Sequence, residues 1–204
     1  MRGRFITIEG IDGAGKSSHL AYIAGRVREK GALVVETREP GGTRLGEALR
    51  SIVLHEAMQV RTEACLLFGA RGEHVAQVIE PALAAGQWVV CDRFTDSTYA
   101  YQCGGHGLPQ AVFESLSQAL APLPVPDATF LFDVDPEVAA ARQRAAQRDP
   151  DRFEREQVDF FRRVRAAYLE RARESGGRIR VVDAGGTFEQ VRLALERELA
   201  AVLA

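Results

Sequence analysis

A glycine-rich segment near the start of the chain has the spacing of a nucleotide phosphate-binding loop. It reads Gly10-Ile-Asp-Gly-Ala-Gly-Lys16-Ser17, directly after an apolar run and directly before a helical pattern. Glycines at these positions let backbone N–H groups turn toward phosphate oxygens, and the following helix points its positive dipole end at them. Lys16 would reach the β- and γ-phosphates, and the Ser17 hydroxyl would hold Mg²⁺. The alternative is an accidental glycine-rich turn, which the flanking strand and helix patterns disfavour.

Five short apolar runs lie where the strands of a parallel sheet would be. They cover residues 4–9, 32–37, 88–92, 128–134 and 178–183, with helical periodicity between them. This alternation predicts a three-layer α/β fold in which a five-stranded parallel sheet carries helices on both faces. Ligands of such sheets bind beyond the carboxyl ends of the strands, so polar residues there are the candidate site.

Composition limits the classes of function. The 204 residues carry 26 Lys and Arg against 28 Asp and Glu, which favours one domain and gives no basic excess for nucleic-acid binding. No apolar stretch approaches a membrane span or a signal peptide, so we expect a cytoplasmic protein without membrane contact. Cys65, Cys91 and Cys103 lack the spacing of a disulfide framework or a zinc site.

Two predicted strands end in residues that suit phosphate chemistry. Asp92 ends the third strand beside the phosphate loop, where a carboxylate would orient Mg²⁺, and Arg93 would aim at a second phosphate group. An Asp92–Arg93 ion pair is the structural alternative. The second strand runs into Glu39-Pro-Gly-Gly, a tight loop, and the helix after it carries Arg50, which would bind an anion or simply remain solvated.

Arginines in two further helical regions are also candidates for ligand binding. The helix predicted over residues 62–85 has an apolar stripe that contains Arg71. Arg71 either extends to solvent or reads a planar, carbonyl-rich ring. Farther along, Arg142, Arg144 and Arg148 precede a proline-interrupted connection. Such a charge run is either a solvated face or a lid, about residues 142–154, that brings an arginine to the transferring phosphate.

Taken in order, these motifs resemble the thymidylate kinase family along essentially the whole chain. The resemblance rests on the phosphate loop, Thr37-Arg-Glu-Pro-Gly-Gly-Thr43, residues 62–71, Cys91-Asp-Arg-Phe94 and Ser97-Thr-Tyr-Ala-Tyr-Gln102. It implies a P-loop NTPase fold forming a single nucleoside monophosphate kinase domain over residues 1–204. The implied reaction is transfer of the ATP γ-phosphoryl group to dTMP in dTTP synthesis, with Mg²⁺ and in a homodimer.

The resemblance also assigns site residues. Lys16, Arg93 and one of Arg144 or Arg148 would be catalytic, and Ser17 and Asp92 would hold the metal. The implied ATP-binding residues are Gly10, Ile11, Asp12, Gly13, Ala14, Gly15, Lys16, Ser17, Ser18 and Arg142. Asp12 would bind the deoxyribose 3′-hydroxyl, Arg50 and Arg93 the acceptor phosphate, and Arg71 the thymine edge. The implied substrate pocket comprises Asp12, Glu39, Arg50, Leu67, Phe68, Arg71, Arg93, Ser97, Thr98, Tyr101 and Gln102.

Three features of the sequence depart from the family pattern: position 67, the segment at 103–106 and the lid. The family often has an aromatic residue at position 67, whereas here Leu67 and Phe68 compete to cover the thymine face. Cys103 replaces a usual glycine and His106 a common arginine. The lid is offset by about a residue, which leaves Arg148 as first candidate for the catalytic arginine and Arg144 as second.

The sequence is also compatible with two other functions. A kinase for another nucleotide or for a deoxynucleoside would share the chemistry, although a nucleoside needs a base for its 5′-hydroxyl and no arginines for an acceptor phosphate. A nucleotide-dependent switch or assembly ATPase would leave Arg71 and residues 97–102 without a role.

Overall fold

The five predicted apolar runs form the five strands of one sheet, in which all neighbours are parallel. The computed structural model describes residues 2–145 and 151–203. The strands are β1 (Phe5–Glu9), β2 (Val34–Arg38), β3 (Trp88–Asp92), β4 (Ala128–Asp133) and β5 (Ile179–Asp183), in the spatial order β2-β3-β1-β4-β5. The predicted α/β class and five-stranded parallel sheet are confirmed.

Helices make every connection between strands, as the periodicity predicted. Of the helices in the described ranges, none is long and apolar enough to cross a membrane. They are α1 (Lys16–Glu29), α2 (Arg44–His55), α3 (Val60–His74), α4 (Glu80–Ala84), α5 (Thr95–Thr98), α6 (Gln110–Ala119), α7 (Pro136–Ala145), α8 (Val158–Glu174) and α9 (Phe188–Leu203), with π-helical segments at Val75–Ile79 and Tyr99–Gly105.

The central strand β1 shows why helices cover both faces. All five of its residues are buried, and successive side chains point to opposite faces. Ile6 and Ile8 pack in a cluster with Ile23 of α1, whereas Phe5 packs in a second cluster with Ile79. Because both faces are buried, the strand is a continuous apolar run rather than an alternating one.

The long helix predicted over residues 62–85 is present but not uniform. It consists of α3, the π-helical segment Val75–Ile79 and α4. Pro81 lies in the first turn of α4 and has no N–H to donate to the preceding turn, so the wider π-helical turn falls where the regular hydrogen-bond pattern is interrupted. Hydrophobic periodicity does not reveal such a local change of pitch.

A second π-helical segment, Tyr99–Gly105, carries several predicted pocket residues and packs against α8. A Cβ atom at Gly104 would lie 2.5 Å from the Cβ of Ala167. The close approach therefore needs a glycine there, and it holds Tyr101 and Gln102 inside the protein, at 5% and 1% exposure.

Strand register brings the chemistry to one edge of the sheet. Asp92 is the partner of Ile8 in β1 and of Arg38 in β2. Glu9, Arg38 and Asp92 therefore leave the sheet side by side at its carboxyl edge. The phosphate loop begins immediately after Glu9.

Candidate active site

The phosphate loop, residues 10–15, joins β1 to α1 and needs its glycines for shape. Gly10 and Gly13 have φ of 137° and 85°, a region that other residues rarely adopt. Cβ atoms there would lie 2.5 Å from the backbone oxygens of Phe132 and Ala139, respectively. The loop is thus pressed against the end of β4 and the start of α7. Ile11 and Ala14, at 2% and 1% exposure, anchor it from inside.

Lys16 is buried beside this loop and turned into it. Its Nζ donates to the carbonyl oxygens of Gly10 and Ile11, both at 2.9 Å. Burial and the charge of Arg93 lower the pKa of Lys16 to about 8, although Asp12 opposes the shift. Two cations held this near each other favour an anion between them, which is what a phosphate-binding site requires.

Arg93 is the most highly connected side chain at the edge of the sheet. Its backbone has a φ of 71°. Its guanidinium donates to Asp12 Oδ1 at 2.5 Å, to the Gly10 carbonyl at 3.1 Å and to the Tyr101 hydroxyl at 3.1 Å. Burial alone would lower the pKa of Arg93, but Asp12 and neighbouring groups hold it well above its ordinary value. Arg93 therefore remains charged, and its carboxylate partner is Asp12 rather than Asp92.

Glu9 lies beneath Arg93 and anchors the loop that carries it. Its Oε1 accepts from the Phe94 N–H at 2.7 Å, and its Oε2 accepts from the hydroxyls of Tyr168 and Ser97. Burial, reinforced by the charge of Asp96, raises the pKa of Glu9 to about 7. The family resemblance assigns Ser97 to the base pocket. Its Oγ instead bonds Glu9, Tyr168 and Arg93, so Ser97 supports Arg93 although it lines the same cavity.

Arg71 is fixed by a carboxylate and keeps one donor unused. At 2% exposure it does not extend to solvent. Its Nε donates to Glu39 at 2.7 Å and its Nη2 to the Thr98 hydroxyl at 3.0 Å, while the buried Nη1 has no hydrogen-bond partner. His74 supports Glu39 from behind, with Nδ1 at 2.9 Å from Oε1. The guanidinium is therefore held rigidly, with a free N–H.

Arg71 faces a concave cavity of the kind that binds small molecules, lined by side chains from several elements. Leu67 lines it, whereas Phe68 does not. Phe68 lies behind Arg71, its ring centroid 4.9 Å from the guanidinium carbon. Helix rotation explains the difference, because residue 67, one turn before Arg71, shares its face. The full lining is Asp12, Glu39, Pro40, Arg50, Val53, Leu54, Leu67, Arg71, Arg93, Phe94, Ser97, Thr98, Tyr101, Gln102, Asp151 and Phe153.

Gln102 adds a free acceptor to this cavity. Its Nε2 donates to Glu63 Oε1 at 2.7 Å, while its buried Oε1 has no partner. The pocket thus contains one unpaired donor, on Arg71, and one unpaired acceptor, on Gln102. Unpaired buried polar atoms are costly, so two of them in one cavity indicate a polar ligand.

A second cavity adjoins the first over the phosphate loop. Lys16, Ser17, Ser18 and Asp92 line it, and Asp92 Oδ1 is buried without a hydrogen-bond partner. A hydroxyl oxygen and an unpaired carboxylate oxygen are ligands that suit Mg²⁺. Asp12, Glu39, Arg50, Arg93 and Asp151 line both cavities and mark where they meet.

Two of the three predicted lid arginines lie within the described residues, and their surroundings differ. Arg142 donates to the backbone oxygens of Ala184 and Gly186 at 2.8 Å each, in the loop before α9. Arg144 is exposed in the last turn of α7. Arg148 lies outside the described residues.

Comparison with known proteins identifies the family of this chain. A family model described as thymidylate kinase matches residues 8–194. The chain belongs to the thymidylate kinase family. The thymidylate kinase of Bordetella petrii is 57% identical, with 98% of this chain and 97% of that protein covered. The one from Methylobacillus flagellatus is 56% identical, with 94% of each covered.

A solved thymidylate kinase supports the fold assignment. The crystal structure of the enzyme from Ehrlichia chaffeensis matches 98% of this chain and 99% of its own, at a TM-score of 0.78 and 31% identity. The chain is accordingly a kinase with the P-loop NTPase fold.

Several residues at this thymidylate kinase site were missed in the sequence. Glu9 and Glu63 are fully buried carboxylates, at 0% exposure each. Glu9 ends an otherwise apolar strand, and Glu63 lies on the helical stripe that also carries Leu67 and Arg71. A search for acidic residues on apolar faces would have found both. Arg152, Phe153 and Tyr168 carried no comparable signal.

Proposed function

We propose that the chain transfers the γ-phosphoryl group of ATP to dTMP, giving dTDP and ADP in the synthesis of dTTP. The observation that carries the proposal is the pair of unpaired groups on Arg71 and Gln102, which line the first cavity. Arg71 Nη1 offers a donor and Gln102 Oε1 an acceptor. Thymine offers the complementary pair, because its O4 accepts and its N3–H donates, whereas cytosine offers the reverse.

Arg50 and Arg93 bind the acceptor phosphate where the two cavities meet. Arg50 is half-buried and tethered through the Pro40 carbonyl at 3.0 Å. Asp12, held by Arg93 and by the Tyr101 hydroxyl at 2.8 Å, has a carboxylate to receive the deoxyribose 3′-hydroxyl. Burial would raise the pKa of Asp12, but Arg93 and Lys16 lower it to about 2, so it is ionised and accepts.

ATP lies over the phosphate loop on the other side of this junction. Backbone N–H groups of residues 12–16 surround its β- and γ-phosphates. Lys16 Nζ gives two of its three N–H groups to loop carbonyls and turns the third toward a phosphate oxygen. Arg142, beside the loop at residues 184–186, flanks the adenine. Ser17 and Asp92 would hold Mg²⁺, which would supply positive charge to neutralise the phosphates.

The reaction needs no general base from the protein. A phosphate monoester with a second pKa near 6 is mostly dianionic at neutral pH. The protein must bring two anions together and stabilise the charge that develops between them, which falls to Lys16, Arg93 and a lid arginine. Arg148 or Arg144 is the proposed lid arginine, in a lid at about residues 142–154.

A coupled assay of ADP release across the nucleoside monophosphates tests the proposal. We expect dTMP to be preferred, with dUMP next because it lacks only the 5-methyl group. Thymidine itself should not be an acceptor, because Arg50 and Arg93 would then face no phosphate. Phosphorylation of thymidine would support a deoxynucleoside kinase instead. ADP release without any acceptor would support a switch ATPase.

The assembly and the compartment are proposed separately. We propose a homodimer in the cytoplasm. Sedimentation equilibrium at micromolar concentration tests the homodimer. A measured mass equal to that of one 22.3 kDa chain would exclude a stable dimer.

A further inference from the structure

Glu63 is a buried carboxylate that no substrate needs to touch. Its side chain is 1% exposed. Its Oε1 accepts from Gln102 Nε2 at 2.7 Å, and its Oε2 accepts from Arg152 Nη2. His106 Nδ1 lies 3.5 Å from Oε1. Glu63 thus joins the base-facing amide of Gln102 to two cationic side chains.

The charge of Glu63 decides which way the amide of Gln102 points. Burial alone would raise the pKa of Glu63, but hydrogen bonds from His106, Arg152 and Gln102 lower it. An ionised carboxylate only accepts hydrogen bonds. Gln102 must therefore turn its NH₂ group toward Glu63, which leaves Oε1 for the cavity.

Arg152 fixes the carboxylate itself. Its guanidinium also donates to the Val53 carbonyl, with Nη2 at 3.1 Å, and its backbone N–H donates to the Leu54 carbonyl at 3.1 Å. The donor on the far side of Glu63 is thus held in place by two contacts with α2. Neither the Glu63 carboxylate nor the Gln102 amide can rotate without losing a buried partner.

We propose that Glu63 determines base specificity by acting through Gln102. It forces the amide oxygen into the pocket, so that only a base with an N–H at position 3 finds an acceptor there. The inference rests on the proposed function, since it assumes a pyrimidine nucleotide in this cavity. Glu63 is a positioning residue and contacts no substrate atom.

The decisive variant is Glu63→Gln. Arg152 would still require an acceptor, so the new amide would give its oxygen to Arg152 and its NH₂ to Gln102. Gln102 would then invert and present NH₂ to the base. The suitable probe is 5-methyl-dCMP, which keeps the methyl group of dTMP but accepts at N3 and carries an amine at C4.

Selectivity is the ratio of kcat/KM for dTMP to that for 5-methyl-dCMP, measured in single turnovers with labelled ATP. We expect a wild-type preference of about a thousandfold or more. Glu63→Gln should reduce this ratio by about tenfold to a hundredfold, because one hydrogen bond is lost for dTMP and one is gained for the analogue. Glu156→Gln, which also neutralises a carboxylate contacting His106 but does not contact Gln102, should leave the ratio within about twofold.

A double variant guards against misfolding of the single one. When Glu63→Gln is combined with Gln102→Glu, the amide introduced at the first position donates to the carboxylate introduced at the second. That carboxylate again presents an acceptor to N3–H. This variant should recover the dTMP preference to within about tenfold of wild type.

Two results would overturn the proposal: an unchanged ratio in a folded Glu63→Gln variant, or a double variant no more selective than the single one. If the single variant does not fold, the double variant alone decides. A wild-type enzyme that does not phosphorylate dTMP would instead refute the proposed function.

Discussion

The donor side and the acceptor side of this site are built differently. Residues 10–18 are contiguous, and their chemistry lies largely in backbone N–H groups shaped by glycines with positive φ. The proposed acceptor pocket is assembled from side chains that are far apart in sequence. Arg71 and Glu39 are separated by 32 positions and Gln102 and Glu63 by 39.

This difference separates two kinds of specificity. A backbone cradle recognises phosphates, which every nucleoside triphosphate shares. Fixed side chains with one unused donor and one unused acceptor recognise a particular base. Variants on the two sides should therefore affect the two substrates separately.

An arginine that belongs to neither side should have the largest effect. Replacing the lid arginine, Arg148 first and Arg144 second, with alanine should lower kcat by about a thousandfold, because it stabilises charge only in the transition state. Neither KM should change much. Single-turnover rates decide, and if neither variant slows chemistry by about tenfold the lid assignment is wrong.

Lys16→Ala should break the donor side alone. We expect kcat to fall by at least about a hundredfold, the scale of losing one preorganised transition-state donor. Calorimetric binding of dTMP should persist, since the acceptor pocket is built from other side chains. Lys30→Ala, at the exposed end of α1, is the matched control and should behave as wild type. Retention of more than about a tenth of wild-type turnover would contradict the role of Lys16.

Arg71→Ala should break the acceptor side alone. Loss of a charged hydrogen bond to the base should raise KM for dTMP about tenfold to a hundredfold and leave KM for ATP unchanged. Arg142→Ala is the mirror experiment and should raise KM for ATP only. Equal weakening of both substrates by Arg71→Ala would mark it as a purely structural ion-pair residue.

A smaller, pH-dependent effect should appear at His106. Hydrogen bonding to Glu63 raises the pKa of His106, burial lowers it, and Glu156 raises it again. The net result is a pKa above the ordinary 6.5. Because the folded state holds the proton more tightly, this stabilisation is complete below about pH 6.5 and is lost as pH rises through the raised pKa.

His106→Asn should remove that dependence. We expect the variant to lower the free energy of unfolding more at about pH 6 than at about pH 9. The difference between the two losses should be about 1 kcal/mol or less, as for a partly exposed ion pair. Denaturant unfolding at both pH values gives the difference. An equal loss at both would show that only ring packing against Phe160, at 4.7 Å between centroids, is affected.

The contrast between the two sides also explains what the sequence revealed. Strands and phosphate loop were predictable because each depends on neighbours in the chain, through apolar runs and glycine spacing. Arg71 was recognised as a candidate for reading a planar ring, but the ion pair that fixes it could not be predicted, because Glu39 lies on another element. Nor could the role of Ser97, because Glu9 and Tyr168 approach it only once the sheet and α8 have packed.

The π-helical segments were beyond sequence periodicity as well. A segment with wider turns changes which residues share a face of the helix. The segment Tyr99–Gly105 has only seven residues, too few for the spacing of its apolar residues to reveal the wider turn. The choice between Leu67 and Phe68 needed only the knowledge that Arg71 faces the cavity, because residue 67 lies one helical turn before it.

The carbonyl oxygen of Gly10 accepts from both Lys16 and Arg93. The cation that we propose for the donor phosphates and the cation that we propose for the acceptor phosphate are thus both hydrogen-bonded to one backbone oxygen. The distance between the Lys16 ammonium and the Arg93 guanidinium is therefore set by two hydrogen bonds to one oxygen, and not by the packing of neighbouring strands. In-line transfer depends on that distance. The strand that ends at Glu9 therefore fixes the position of both cations, because Gly10 follows it directly.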